Sequence, residues 1–311
     1  MPERALTDEV KAVATEMGAD LVGIAPVERF AEAPLPASPL GHLPGARSVI
    51  VAAIHHPDAC VELSGDPTVH DMGAYGPIQG DMNMKLGSIA FAIGRLLERR
   101  GHTALPIVPT NVWRYREWPG VPTPFTADLS QRHAGVAAGL GQIGWNGLFL
   151  SPEYGPRQRL VSIITQADLV ASPMYDGPNL CDDCYLCVDK CPTRSISRER
   201  TVTVRIGGRE FTYGYLDKWR CSWSEHWGID AYLPLPDVVE EHAIVEALAK
   251  HGQRGGAMGA CLRFCMPPHL RRADPDYSPA YRRERRAERG VADRRSRETE
   301  RDYGTRPSRP D

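Results

Sequence analysis

Apolar and polar positions follow two periods along this chain. A helical spacing over 7–17, carried by Val10, Val13, Ala14 and Met17 and closed by Gly18, predicts a first helix. A longer amphipathic stretch over 81–100 predicts a second helix, with Asp81 as its N-cap and Gly101 just past its end. A third helix is expected over 127–138. Short apolar runs over 20–24 and 48–54, and segments over 103–108 and 159–165, predict strands, with a long Pro- and Ala-rich loop between the first two. Strands alternating with helices over 1–170 imply a layered α/β domain. From 171 the periodicity fades until 238–250, where a further helix is expected. No internal repeat of fixed period is visible.

Composition narrows the picture. The chain has 311 residues, 42% of them hydrophobic, with a formal net charge of −2. It can bury one large core or two modest ones, and its charge argues against a surface built to grip nucleic acid. The longest apolar run, 48–54, is far short of the roughly 20 residues that span a bilayer. No signal peptide or twin arginine opens the sequence, so a soluble cytoplasmic protein is expected, without membrane partners. The stretch 271–311 holds 13 Arg against 9 acidic residues and almost no aliphatic ones, and reads as an extended or disordered charged tail.

Eight cysteines decide the chemistry. They are too sparse for a secreted disulfide scaffold, and in a reducing compartment clustered thiols serve metals or redox groups. Cys181, Cys184, Cys187 and Cys191, followed by Pro192, form C-x2-C-x2-C-x3-C-P, the bacterial ferredoxin run. Two intervening residues let successive thiolates reach different irons of one cubane, while the fourth cysteine faces away toward a second cluster. A zinc knuckle accommodates C-x2-C pairs but not four cysteines this close and ending in Cys-Pro. By ferredoxin logic Cys181, Cys184 and Cys187 take Cys265 as a distant partner, and Cys191 joins Cys221 and Cys261. That makes seven ligands where two cubanes take eight. Cys60, alone in the first domain, reads as a bystander.

Upstream lies Gly139-Leu-Gly-Gln-Ile-Gly-Trp-Asn-Gly-Leu-Phe-Leu-Ser-Pro-Glu-Tyr-Gly-Pro-Arg157, which contains G-x-G-x-x-G. A dinucleotide turn would need a strand before it, and 127–138 reads as a helix. The glycines permit close backbone approach to a large flat ligand. Together with the cysteine run, this stretch resembles the reductive dehalogenase and epoxyqueuosine reductase superfamily. Asp20-Leu-Val-Gly-Ile-Ala-Pro26 is similar to the epoxyqueuosine reductase branch, and the SPEYGPR stretch and Arg220-Cys221-Ser-Trp to the dehalogenase branch.

The resemblance implies an α/β (α+β) fold, with a nitroreductase-like cobalamin-binding domain over 1–170 and a bacterial ferredoxin-like iron–sulfur domain over 171–270. It implies cobalamin beside two clusters, with Gly139, Gly141, Gly144, Trp145, Asn146, Gly147 and His56 toward the cofactor. His55 and His56 end a strand and point to opposite faces, so one of them can face a ligand. The expected activity is reduction of a small organic substrate by cleavage of a carbon–halogen, carbon–oxygen or similar bond. Electrons would come from a ferredoxin or flavodoxin-type donor, and a homodimer stays open.

Three departures from the family stand out. Met258 occupies the place of the first cysteine in the family's last group, so one [4Fe-4S] cluster is expected, with a second that is [3Fe-4S], has a non-cysteine ligand, or is absent. The family's proton-donor positions are not matched, which leaves Tyr75 and Asp128 as substitutes and Arg114, with Tyr115 and Arg116, at the substrate mouth. The helical-repeat extension that helps epoxyqueuosine enzymes hold tRNA is missing, so tRNA is not the expected substrate. Trp219, Trp223 and Trp227, spaced by four around Cys221, read as packing over the second cluster. The alternatives are an iron–sulfur electron-transfer protein that reduces a partner's corrinoid or flavin, and a structural zinc protein.

Overall fold

The computed structural model describes residues 2–62, 75–110, 118–121, 125–231, 233–253 and 260–273. Residues 1–268 form one compact unit and 269–311 a second. Of the charged tail over 271–311, only 271–273 lie within the described residues.

The first unit is organised by a four-stranded sheet. Its strands are β1 (Leu21–Pro26), β2 (Ser48–His55), β3 (Ala104–Ile107) and β6 (Gln158–Thr165), in the order β1-β2-β6-β3. Every neighbouring pair is antiparallel, so the helix–strand alternation seen in the sequence does not build parallel βαβ crossovers. The apolar run of β2 has a simple cause: the sheet is covered on both faces. Ile50, Ala52 and Ile54 point to one side, where they meet α1 (Arg4–Glu16) and α4 (Tyr75–Arg99) through Val10, Leu86, Ile89 and Ile93. Val49, Val51 and Ala53 point to the other, against α5 (Gln131–Ala137) and Phe149. The short helices α2 (Pro39–His42) and α3 (Asp58–Glu62) flank β2.

Helix α4 begins six residues before the expected start, so Asp81 is an exposed residue inside the helix and not its N-cap. Pro77 in the first turn explains the difference: its missing N–H is one the first turn leaves unbonded anyway. The C-terminal expectation holds, since Gly101 takes a left-handed φ of 85° and the chain closes back from His102 N to the Leu97 carbonyl at 3.0 Å. Helix α5 starts later than expected because Ser130 caps it, its hydroxyl accepting from His133 N at 3.3 Å.

A two-stranded ribbon, β4 (Gln142–Ile143) with β5 (Phe149–Leu150), carries the glycine-rich stretch. Downstream, α6 (Leu186–Asp189) holds part of the cysteine run. Then comes a hairpin that the sequence reading missed, β7 (Ile196–Ile206) with β8 (Arg209–Leu216). Its turn is Gly207-Gly208, both left-handed, which is the two-residue signal that such hairpins use. Most of β7 is exposed, which is why its apolar alternation was weak. A third, smaller core joins α7 (Lys218–Glu225) to α8 (Glu241–His251) through Trp223, Ile229, Val239 and Ile244, with Trp219 and Trp227 partly buried against it. Two short helices, α9 (Ala260–Phe264) and α10 (Pro268–Ala273), complete the described elements.

Truncating a central residue tests the two-faced packing. Ile93→Ala empties a fully buried site on α4. It should lower stability to urea by about 2–5 kcal/mol, whereas truncation of exposed Met84 on the same helix should be close to neutral.

Candidate functional site

The cysteine run is wound tightly by its backbone. Asp183 and Tyr185 have left-handed φ values of 51° and 55°, and Arg194 one of 51°. Non-glycine residues adopt this region only where the surroundings over-determine them. Here Leu180 N is fixed by the Gln142 side chain at 3.0 Å, and Trp145 forms an edge-to-face contact with Tyr185. Two backbone amides are aimed at sulfur: Trp145 N donates to Cys181 Sγ at 3.3 Å, and Ser195 N donates to Cys191 Sγ at 3.3 Å. Helix α9, bearing Cys261, packs against α6, bearing Cys187, and Cys265 follows one residue after α9.

Electrostatics sorts the seven thiols into two overlapping sets. Burial pushes Cys187 up to about 12, reinforced by Cys181 and Cys184. Burial raises Cys265 well above the usual thiol range, followed by the charges of Cys187, Cys181, Cys261 and Cys184. Burial raises Cys221 as well, followed by Glu225, Cys261 and Cys191, while Arg132 opposes. Cys261 reaches about 12 through burial, then Glu225 and Cys191, with Arg132 again opposing. Cys265 thus has Cys187, Cys181, Cys261 and Cys184 as charged neighbours, and Cys221 has Cys261 and Cys191. Among the described residues, no three His, Cys, Asp or Glu side chains close on the position of a single ion. A cubane differs in holding each thiolate on a separate iron. Crowded, protonated thiols with amides aimed at their sulfurs are a donor set suited to an iron–sulfur core, whose cations displace the protons. Cys60 lies on α3 and is not among these electrostatic neighbours.

The SPEYGPR stretch supports this centre from the other side. Arg157 is 1% exposed. Its guanidinium donates to Asp58 Oδ1 at 2.8 Å, to the Glu62 carboxylate, and to the Arg263 carbonyl at 3.1 Å. It thereby ties α3 to α9, the helix between Cys261 and Cys265. Gly155 lies so close to the chain after Cys265 that a Cβ would come within 2.6 Å of Pro267.

The glycines expected to admit a ligand serve the protein's own packing. A Cβ at Gly139 would lie 1.9 Å from the Pro173 carbonyl oxygen, and one at Gly141 1.9 Å from that of Leu150. Gly144 is packed by the Leu150 side chain and Gly147 by Tyr213. At these four positions the space where a side chain would lie is taken by the protein's own atoms. The helix before it, α5, is not the strand that a dinucleotide turn requires. Trp145 is built into the wall as a clamp, its indole donating to the Ser197 carbonyl at 3.0 Å and its carbonyl accepting from Gly214 N. Asn146 is buried, its Oδ1 accepting from Leu148 N at 3.0 Å and its Nδ2 without a hydrogen-bond partner among the described residues.

His56 follows β2 and is buried, while His55 turns the other way, stacked on Tyr154 with ring centroids 4.4 Å apart. Burial, with Arg159 next, lowers His56 to about 3, which keeps it neutral. Arg159 belongs to a polar cluster at this end of the sheet, its Nε donating to Asn83 Oδ1 at 2.9 Å and its guanidinium also reaching Thr110. Asp128 is exposed, and its carbonyl accepts from His42 at 2.8 Å. Tyr75 is the first residue of α4, but its side chain lies outside the described residues, as do Arg114, Tyr115, Arg116 and Met258. Arg132 was not anticipated; its Nη1 donates to the Gly147 carbonyl at 3.1 Å and it is the cation beside Cys221 and Cys261. Glu225 was also missed. Its spacing of four from Cys221 on one helix was the available signal.

No protein-family model matches the chain. Over 156 residues it is 26% identical to the tetrachloroethene reductive dehalogenase of Desulfitobacterium hafniense, covering 50% of this chain and 24% of that one. Over 232 residues it is 30% identical to the epoxyqueuosine reductase of Gloeobacter violaceus, covering 74% of this chain and 58% of the relative. A solved catabolic reductive dehalogenase shares the fold with a TM-score of 0.57 at 18% identity, over 87% of this chain and 34% of its own. Another, described with a mechanism for B12-dependent dehalogenation, gives 0.55 at 19% identity over 82% and 31%. The chain therefore spans about a quarter of the dehalogenase it matches and somewhat over half of the epoxyqueuosine reductase.

Two measurements test this geometry. Arg157→Met strands two carboxylates and should destabilise the protein by about 3–5 kcal/mol, read by urea denaturation. His56 binds its proton less readily in the folded chain (about 3) than at its ordinary 6.5. Its contribution to stability is therefore complete above about pH 6.5 and shrinks as pH falls toward 3. A His56→Asn variant should show a flatter dependence of thermal midpoint on pH below about 6.5.

Proposed function

We propose that this chain, a homologue of the reductive dehalogenases and epoxyqueuosine reductases, both oxidoreductases, is an iron–sulfur reductase acting on a small organic substrate. The observation that carries the reading is the gathering of seven cysteines from three separate stretches, with backbone amides directed at two of their sulfurs. Cys181, Cys184, Cys187 and Cys265 would hold one cluster, and Cys191, Cys221 and Cys261 would contribute to the other. Two clusters side by side deliver single electrons in sequence from a ferredoxin or flavodoxin-type donor. The bond reduced is a carbon–halogen or carbon–oxygen bond, by analogy with what the relatives' names state.

Cobalamin enters this proposal from the relatives, one of whose folds is described with B12-dependent dehalogenation. A bound corrinoid would supply the two-electron reduction of such a bond. The groups that would meet it are proposed to be the neutral, buried His56, the Arg159–Asn83–Thr110 cluster and the buried Asn146 amide. An exposed Asp128 and the phenol of Tyr75 are proposed to hold and deliver the proton, with Arg114 orienting an anionic substrate. The filled space around Gly139 and Gly141 favours a second reading, in which the clusters reduce a corrinoid or flavin held by a partner.

Purification from cells grown anaerobically with iron and cobalamin separates these readings. The reductase reading expects a brown protein with iron, acid-labile sulfide and stoichiometric corrinoid. Clusters without corrinoid favour the electron-transfer reading. A colourless, zinc-loaded protein refutes both. Cys187→Ser, in the first set, should remove about half of the bound iron and sulfide and leave the second cluster's spectrum in place.

A further inference from the structure

Cys191 ends the ferredoxin run, and its spacing directs it away from Cys181, Cys184 and Cys187 toward the second cluster. The chain after it folds straight back over its sulfur. Arg194 N donates to the Cys191 carbonyl at 3.2 Å, and the left-handed φ of Arg194, 51°, turns the next amide round. Ser195 N then donates to Cys191 Sγ at 3.3 Å. A second polar group meets the same sulfur. Thr193 Oγ1 lies 3.5 Å from Cys191 Sγ, and Ser195 Oγ lies 2.5 Å from Thr193 Oγ1. Both hydroxyl-bearing residues are buried. The turn is anchored as well: Asp217 N donates to the Ser195 carbonyl at 2.8 Å, and Cys221 N to the Asp217 carbonyl at 3.0 Å. The Cys191 turn is thereby tied to the start of α7, the helix that carries Cys221.

Sulfur chemistry sets the direction of these bonds. A thiol donates or accepts, but an iron-bound thiolate has no hydrogen and only accepts. Thr193 is then the donor to Cys191, and the Thr193 oxygen accepts in turn from Ser195. Cys181, in the first set, has a different neighbour: besides the Trp145 amide, its sulfur lies 3.6 Å from Asp183 Oδ1. Hydrogen-bond donors stabilise a sulfur that gains negative charge, and a carboxylate does the reverse. We propose that Thr193, backed by Ser195, sets the reduction potential of the second cluster by donating its O–H to the Cys191 thiolate. The reduced cluster carries one more negative charge than the oxidised one, so this bond strengthens on reduction and raises the potential. The electron gained comes from the ferredoxin or flavodoxin-type donor, and the hydrogen stays on the Thr193 oxygen in both states.

This inference rests on the iron–sulfur reading above, and the test keeps the two apart. The full chain is reconstituted anaerobically with iron and sulfide as wild type, Thr193→Val, Thr193→Ser and Ser195→Ala. Each cluster's midpoint is read by electron paramagnetic resonance during titration with dithionite. At a fixed poise, Thr193→Val should lower the ratio of reduced to oxidised second cluster about tenfold, a midpoint about 59 mV more negative for a one-electron couple. Thr193→Ser should keep the wild-type midpoint, and Ser195→Ala should shift it in the same direction by less. The first cluster's midpoint should not move in any of them. After exchange into deuterated water, pulsed spectra of the second cluster should lose one deuteron coupling in Thr193→Val and keep it in Thr193→Ser. An unmoved second midpoint in Thr193→Val overturns the proposal. So does an equal shift of both clusters, a Thr193→Ser shift as large as that of Thr193→Val, or loss of the second cluster from Thr193→Val. A wild type that holds the first cluster alone overturns this inference and leaves the iron–sulfur reading standing. A wild type that binds no cluster overturns both.

Discussion

One buried guanidinium holds the two halves of this molecule's chemistry together. Arg157, itself buried, takes two carboxylates from α3 and the carbonyl of Arg263 from α9. A buried charge is tolerated only when paired and fully hydrogen-bonded, so each partner constrains the others. The sheet end that carries His55, His56 and Asp58 is thereby set against the helix that brings Cys261 and Cys265 to the thiol sets. With that tie loosened, α9, only five residues long, would be located chiefly by its packing against α6.

Much of the scaffold was legible in the sequence, for physical reasons that also explain the misses. The continuous apolar run of β2 and the stripe of α4 mark residues buried by packing; β2 and the end of α4 lie within a residue of their expected limits, and the start of α4 lies six residues earlier. The antiparallel arrangement was not legible, because a sheet covered on both faces produces the same apolar runs whichever way its strands point. Hairpin β7–β8 escaped because Arg198, Glu199 and Arg200 interrupt the alternation on an exposed strand, although Gly207-Gly208 marked its turn. The cysteine run could be read because its spacing is itself the chemistry. Arg132 and Arg157 could not, since a charged residue's partner is chosen by the fold and leaves no periodic trace in the chain.

The glycine-rich stretch carries a related lesson. Its pattern invites a reading as a space kept clear for a ligand, yet Gly139 and Gly141 are required because two backbone segments pass each other at van der Waals range. What the stretch contributes to the cysteine run comes from the residues between its glycines. Trp145 reaches Cys181 through its amide and braces the β7–β8 hairpin through its indole and carbonyl, so a single residue joins the wall to the cluster loop. Backbone amides directed at sulfur are one of the means by which a protein sets a cluster's potential.

The distribution of the thiols along the chain also dictates an order of events during biosynthesis. Both sets draw a member from the segment around α9, and Arg157 finds its carbonyl partner there 106 residues further along the chain. Neither set is therefore complete until nearly the whole first unit has left the ribosome. The long loop then closed carries an entropic penalty that rises only slowly with its length. The segment around α9 is accordingly the last part of the thiol arrangement to be made, and it joins a unit whose four-stranded sheet lies wholly upstream of it in the chain.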